Sequence, residues 1–239
     1  MDPLEPVRAL ARLVVPVACP GCGREDVPWC DECEAPWWEP VWRAEADAAR
    51  LSLEGRAAVP VWAVAVLAGN AHRMVAAWKD GGRRDLDPFF AGAAARAGAC
   101  VAPRLSALPE PLCVVPAPAR AAGVRRRGED LPLLLAHAVA DGLRARGARA
   151  SVLPCLAIGA GEQRRISAAD RWRRMRGAVR LTRLPPAGAP VLLVDDVVTT
   201  GATLAACISA LEGAGSAVVG AVALAAVGRV AGEPSPGLR

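Results

Sequence analysis

The apolar run Val191–Val194 leads directly into two adjacent acids, Asp195 and Asp196, and then into Val197-Val198-Thr199-Thr200-Gly201-Ala202-Thr203. Such a segment reads as a buried strand, a hydroxyl- and glycine-rich turn, and the opening of a helix. Backbone N–H groups at a helix N-terminus suit a phosphate. Gly201 allows close approach of the chain, and Thr199, Thr200 and Thr203 add hydroxyl donors. Acids at the carboxyl end of the strand can accept hydrogen bonds from the hydroxyls of a sugar that carries this phosphate, in the crevice where open α/β sheets bind ligands. A capped helix after an acidic turn would explain the threonines, but not two acids at a buried strand end followed by three threonines and a glycine.

A second constellation lies near the N-terminus, where Cys19, Cys22, Cys30 and Cys33 follow a C-x2-C-x7-C-x2-C pattern. Each C-x2-C turn can bring two thiolates to one ion, and two turns complete a tetrahedron. The alternatives are a disulfide pair, disfavoured in a reducing compartment, and a redox motif, disfavoured without a thioredoxin-like surrounding. Four sulfur ligands leave no open position, so the expected ion is structural zinc, holding a module too small to fold alone.

The remaining chain must position these groups. Val61–Leu67 reads as a strand, Asn70–Ala99 has helical spacing broken at Gly81-Gly82, and a second helix is expected over about Leu86–Ala97. Leu112–Val115, Val152–Leu156, Val191–Val194 and Val218–Leu224 read as strands. Leu131–Arg146 and Thr203–Gly213 read as helices, Ile166–Met175 as a basic helix or turn, and a short helix is expected within 41–60. Continuous apolar strands alternating with helices imply an α/β fold, a mostly parallel central sheet flanked by helices. The expected organisation is a zinc-ribbon-like module over 1–45, a main domain over 60–230 and a frayed tail over 231–239.

Composition excludes a membrane bundle: hydrophobic residues make up 53% of the chain, yet no run reaches the ~18–20 residues that span a bilayer. Asp2 and Glu5 stand where a signal peptide carries positive charge, so a cytoplasmic protein is expected. Lys79 is the only lysine, and residues 120–180 hold fourteen arginines against five acids. Such a stretch attracts phosphates, of a small ligand or of a polynucleotide.

The segment 191–203 closely resembles the motif by which type I phosphoribosyltransferases bind 5-phosphoribosyl-1-pyrophosphate (PRPP). With the cysteine knuckles before it, and Trp78-Lys79-Asp80-Gly81-Gly82-Arg83, Val114-Val115-Pro116-Ala117-Pro118 and Arg125-Arg126-Arg127-Gly128 between, the order resembles the ComF family over roughly residues 17–226. These are bacterial proteins linked to competence and the use of external DNA. The resemblance implies a type I phosphoribosyltransferase fold, with Asp195 and Asp196 on the ribose hydroxyls and Val198, Thr199, Thr200, Gly201, Ala202 and Thr203 around the 5′-phosphate. It further implies a pyrophosphate loop over the Pro116–Arg120 turn, with Pro116, Ala117 and Arg120 as contacts, and phosphate contacts from Lys79, Arg125, Arg126 and Arg127. Mg2+ would be held mainly by the ligand's own oxygens. The arginine run has a plain alternative, a solvated basic face.

Departures fall on the acceptor side. Gly128-Glu129-Asp130-Leu131 replaces the family's Gly-Phe-Asn-Gln, and Trp172-Arg173-Arg174-Met175 follows Gln163 and Ser167–Arg171 in place of the usual arginine–asparagine pattern. His72 and His137 fall on expected helices, so no general base stands out. The readings left open are a transferase, a PRPP- or nucleotide-sensing or single-stranded-DNA-binding module working with DNA-uptake helicase or processing proteins, and a protein adaptor. An oligomer is compatible with each.

Overall fold

The structure is a computed structural model that describes residues 17–51, 59–159 and 179–228. Its strands are β1 (Trp42–Arg43), β2 (Val61–Val66), β3 (Leu112–Pro116), β4 (Ala150–Val152), β5 (Leu156–Ile158), β6 (Val179–Leu181), β7 (Pro190–Val198) and β8 (Ala217–Ala226). Its helices are α1 (Asp31–Glu34), α2 (Gly69–Lys79), α3 (Asp87–Leu105), α4 (Ala121–Arg127), α5 (Leu131–Arg144) and α6 (Ala202–Glu212).

Six strands form one sheet in the order β1-β2-β8-β7-β3-β4. All its pairings are parallel except that of β1 with β2. This is the expected α/β sheet. The two-residue period of a strand divides the core. Leu192 and Val194 of β7 join Val114, Val222 and Leu224 on the face covered by α2, α3 and α5. Val191 and Leu193 join Val115, Ala221 and Ala223 on the face that holds Leu204, Cys207 and Leu211 of α6. On the first face α3 and α5 pack backbone to backbone. A Cβ at Gly98 would lie 2.2 Å from the Val139 carbonyl oxygen, and one at Gly142 1.8 Å from that of Ala95.

The chain leaves β3 towards β4 at one edge and leaves β7 towards β8 in the opposite direction. Adjacent strands with diverging exits open a crevice at their carboxyl ends, the general ligand position of open α/β sheets. Here that crevice lies between the β3–α4 turn and the β7–α6 turn.

Several elements differ from expectation. The strand expected over Val152–Leu156 is two: β4 pairs with β3, and β5 pairs antiparallel with β6 in a separate ribbon. Pro154 lies between them and has no N–H to give to a ladder. Within 41–60 the described residues form β1 and turns, not a helix. Trp42 and Arg43 pair with Ala63 and Trp62, where an outer strand is available to them. β7 runs through both acids instead of ending at Val194, because β8 continues to pair with it as far as Val198. The expected segment Ile166–Met175, with Gln163 and Trp172, lies outside the described residues, as does the tail over 231–239. Among the described residues no helix is long and apolar enough to cross a membrane.

The cysteine-rich segment shares the first core. Cys19, Cys30, Cys33 and Trp37 are buried with Met74, Trp78, Phe89 and Phe90. The ring centroids of Trp37 and Phe90 are 4.8 Å apart and those of Trp78 and Phe90 4.6 Å.

Candidate functional site

Alternation along β7 turns the two acids to opposite faces of the sheet. Asp195 faces α6 on the side of Cys207. Asp196 faces α2 and α5, where it meets Lys79 and is felt by Asp130. The acids are joined through the backbone, since the Asp196 N–H donates to Asp195 Oδ1 at 2.8 Å. Asp195 is 6% exposed, the one buried acid among the described residues. Burial, with the charge of Asp196 added, pushes its carboxyl up to about 8, against the opposing pull of the Asp196 N–H and Lys79. Lys79 Nζ lies 2.8 Å from Asp196 Oδ2.

Both acids line a cleft of about 450 Å3. Its walls are the end of α2 (Lys79, Asp80), the turn after β3 (Pro118–Arg120), α4 (Gly123, Val124, Arg126, Arg127), the start of α5 with Glu129 before it, and Thr199 and Thr203. A smaller hollow of about 80 Å3 adjoins it, enclosed by Val197–Leu204 and Asp195. There Gly201 caps α6 with φ +75°, and no side chain caps the first turn, so the leading amides of the helix remain donors for an anion. A Cβ at Gly201 would stand 2.9 Å from Leu51 Cγ and 3.0 Å from Ala48 Cβ. The Arg50 N–H donates to the Thr200 carbonyl at 3.0 Å. The 48–51 turn thus braces the hollow from outside.

The structure brings Asp195, Asp196, Lys79, Arg120, Arg126, Thr199 and Thr203 to one cleft, with Val198, Thr200, Gly201 and Ala202 around the adjoining hollow. Pro116 and Ala117 do not line the cleft: Ala117 is buried and donates its N–H to the Val194 carbonyl at 2.7 Å. The turn reaches the cleft one residue later, at Pro118. Arg125 is exposed and does not line it either. Arg126 pairs with Asp80. The Arg127 side chain is 5% exposed and committed inward: it donates to Asp87 and to the Trp78 carbonyl, with its guanidinium 5.3 Å from the Trp78 ring centroid. Trp78 Nε1 donates to the same Asp87 oxygen at 2.6 Å. That network fastens α4 to α2 and α3.

Sequence reasoning missed Asp80 and Glu129 as cleft walls, whereas Pro118 and Ala119 fall inside the expected Pro116–Arg120 turn. Asp80 directly follows Lys79, a signal that was present. Asp130 caps α5, its carboxylate accepting from the Leu133 N–H at 3.1 Å; burial raises its pKa, and the charge of Asp196 adds to the rise.

The four N-terminal cysteines form a second centre whose Sγ atoms all lie within 4.8 Å of one another. The Cys22–Cys30 and Cys19–Cys30 separations are 3.5 and 3.8 Å, near the ~3.8 Å edge of a tetrahedron with ~2.3 Å zinc–sulfur bonds. The donor set therefore fits zinc. Burial acts to raise the Cys19 thiol, yet the amides of Cys22, Cys30 and Gly21 prevail and bring it down to about 6. Burial and its thiol neighbours push Cys33 up. Arg83 clamps the module to the end of α2, donating to the carbonyls of Ala18 at 2.8 Å and Pro28 at 2.9 Å.

Residues 162–236 match the family model described as phosphoribosyl transferase domain. The match supports the type I phosphoribosyltransferase superfamily. It spans β7, both acids, the threonine turn, α6 and β8, and the acids and threonine turn within it form one wall of the cleft. No curated protein matches the chain. A phosphoribosyltransferase-like fold with a PRPP-binding function is thus supported from the sheet and from the family comparison.

The burial of Asp195 has a measurable consequence. Unfolded, the group ionises near pH 3.8; folded, it keeps its proton to about pH 8. Between these values the folded state holds the extra proton, so the contribution of Asp195 to stability falls as pH rises through that window and levels off above it. Thermal unfolding between about pH 5 and pH 9 should therefore show wild type losing stability relative to Asp195→Asn as pH increases. Parallel curves would refute the buried, protonated state.

Proposed function

We propose that the cleft binds magnesium PRPP and serves transfer of its phosphoribosyl group with release of pyrophosphate. The observation that carries this reading is the convergence of the acid pair, the threonine turn and three cations, Lys79, Arg120 and Arg126, on one crevice at the β3/β7 divergence. The hollow at the start of α6 suits the 5′-phosphate, whose charge the helix N-terminus and threonine hydroxyls would meet. Asp195 and Asp196 suit the ribose 2′- and 3′-hydroxyls. Accepting such a bond favours the ionised form of Asp195, so binding would release a proton below about pH 8.

On the opposite side Lys79, Arg120 and Arg126 face the region where a diphosphate would leave. Their charges stabilise it most as the C1–oxygen bond breaks and electrons move onto the departing oxygen. The acceptor nucleophile then forms the new bond to C1 and yields its proton. Asp196 is already paired with Lys79 and Asp195 is buried, so the protein offers few free carboxylates for magnesium. The ion would arrive on the ligand's oxygens, where it supplies charge neutralisation.

Calorimetric titration should give magnesium-dependent PRPP binding by wild type. An Asp195→Asn/Asp196→Asn variant should bind ~100-fold or more weakly, since hydrogen bonds to a charged partner contribute about 1.5–3 kcal/mol each. A folded wild type that binds no PRPP would sink the reading.

We further propose that the four cysteines hold structural zinc. Metal analysis should find zinc, and Cys33→Ser or chelation should lower the melting temperature, because removing a structural ion removes folding free energy. Unchanged melting of metal-free protein would count against it. The motif order resembling ComF proteins supports a role in the use of external DNA. A strain carrying only the double Asn variant should then use donor DNA less well at unchanged growth; equal use by both strains would contradict that role.

A further inference from the structure

Each cation on the cleft wall with a partner in this structure rests on an acid, but the partners differ in kind. Arg126 rests on Asp80 at the rim, where both side chains are mostly exposed, and Arg127 is locked into the interior by Asp87. Lys79 rests on Asp196, one of the two acids suited to the sugar. The same carboxylate therefore has two claimants, the ammonium and a ribose hydroxyl.

We infer that Lys79 is an exchangeable counter-ion, closed on Asp196 until a diphosphate draws it away, so that diphosphate and ribose phosphate binding are coupled through this one lysine. The inference rests on the reading of the cleft as a PRPP site. Three observations carry it. Lys79 is the last residue of α2, and the chain beyond it turns at Gly81 and Gly82, where Gly82 has φ +72°, so the side chain projects from a helix end. The pair lines the cleft, with 33% of the Lys79 side chain and 13% of Asp196 exposed, so water or a ligand's charge can compete for the ammonium more than in the interior. Finally, Lys79 is the only lysine among 29 basic residues. An arginine would grip the carboxylate through a two-pronged fork, whereas an ammonium is a point charge on a flexible stem that can change partners.

A diphosphate offers the ammonium more negative charge than one carboxylate does, and it would enter the same cleft beside Arg120 and Arg126. Once Lys79 moves to it, Asp196 is free to accept from a sugar hydroxyl. Ribose phosphate arriving alone must share the carboxylate with the ammonium, which holds Oδ2 and draws off part of its charge. By reciprocity each ligand then favours the other to the same degree.

The test uses the full chain with magnesium pyrophosphate and ribose 5-phosphate, each titrated alone and in the presence of the other. Wild type should bind ribose 5-phosphate ~10-fold more tightly when pyrophosphate is present, within the usual range of coupling between sites. In Lys79→Met, pyrophosphate should weaken, ribose 5-phosphate alone should bind at least as tightly as to wild type, and the coupling should vanish. Lys79→Gln provides the same comparison if the methionine variant does not fold. Lys79→Arg should weaken ribose 5-phosphate alone, because its fork holds Asp196 longer. Coupling of wild-type size in the uncharged variants would overturn the inference while leaving the PRPP reading intact. Failure of wild type to bind PRPP or either fragment would overturn both.

Discussion

Asp195 lies at the carboxyl end of the central strand with almost no water on it, and Asp196 beside it carries its charge towards the opposite face. Two neighbouring carboxylates in such a position repel each other, and removing one from water is costly unless it keeps its proton. The surroundings meet that constraint in two ways. Asp195 remains protonated near neutral pH and takes a hydrogen bond from the backbone of its neighbour. Asp196 takes the only lysine in the chain. The arrangement is unfavourable for folding alone and favourable for a ligand that brings hydroxyl groups to the acids and negative charge to the cations.

The sheet explains why the pair sits there. Strand β7 is covered on both faces, and its ladder with β8 continues past both acids to Val198. The divergence of β3 and β7 then opens the crevice immediately beyond. Alternation along the strand delivers one acid to α6 and the other to α2 and α5. The two faces of the molecule therefore meet at this strand end.

The core of this arrangement was legible from residue order. An apolar run closing on two acids, then threonines and a glycine, is local information, and the glycine has the positive φ such a turn needs. The four cysteines were legible for the same reason, being clustered in short turns. What the sequence left ambiguous was tertiary. Arg125, Arg126 and Arg127 look alike in a row, but on the seven-residue helix α4 one is exposed outside the cleft lining, one meets Asp80 at its rim and one stacks inward on Trp78. Helical rotation separates them, and only the helix's docking decides which one faces a ligand. The Val152–Leu156 segment had the composition of one strand, yet its halves serve different sheets around Pro154. The edge strand β1 is two residues long, too short for any periodicity to announce it.

The cysteine module and the cleft are not independent walls. Trp78, Lys79 and Arg83 fall within one turn and a half of chain at the end of α2, and they do three jobs: Trp78 anchors the core and Arg127, Lys79 enters the cleft, and Arg83 binds the carbonyls of Ala18 and Pro28 beside the cysteines. Arg73, a few residues earlier, donates to the carbonyl of Gly21 between the first two cysteines. At Gly21 a Cβ would stand 2.6 Å from Cys33 Sγ, so the turn packs directly on the sulfur cluster. An ordered knuckle therefore fixes the carbonyls that hold the end of α2, and the end of α2 fixes where the stem of Lys79 begins. The flexible part of that lysine therefore starts from a rigid base, which is what the proposed exchange of its ammonium between the carboxylate and a diphosphate requires.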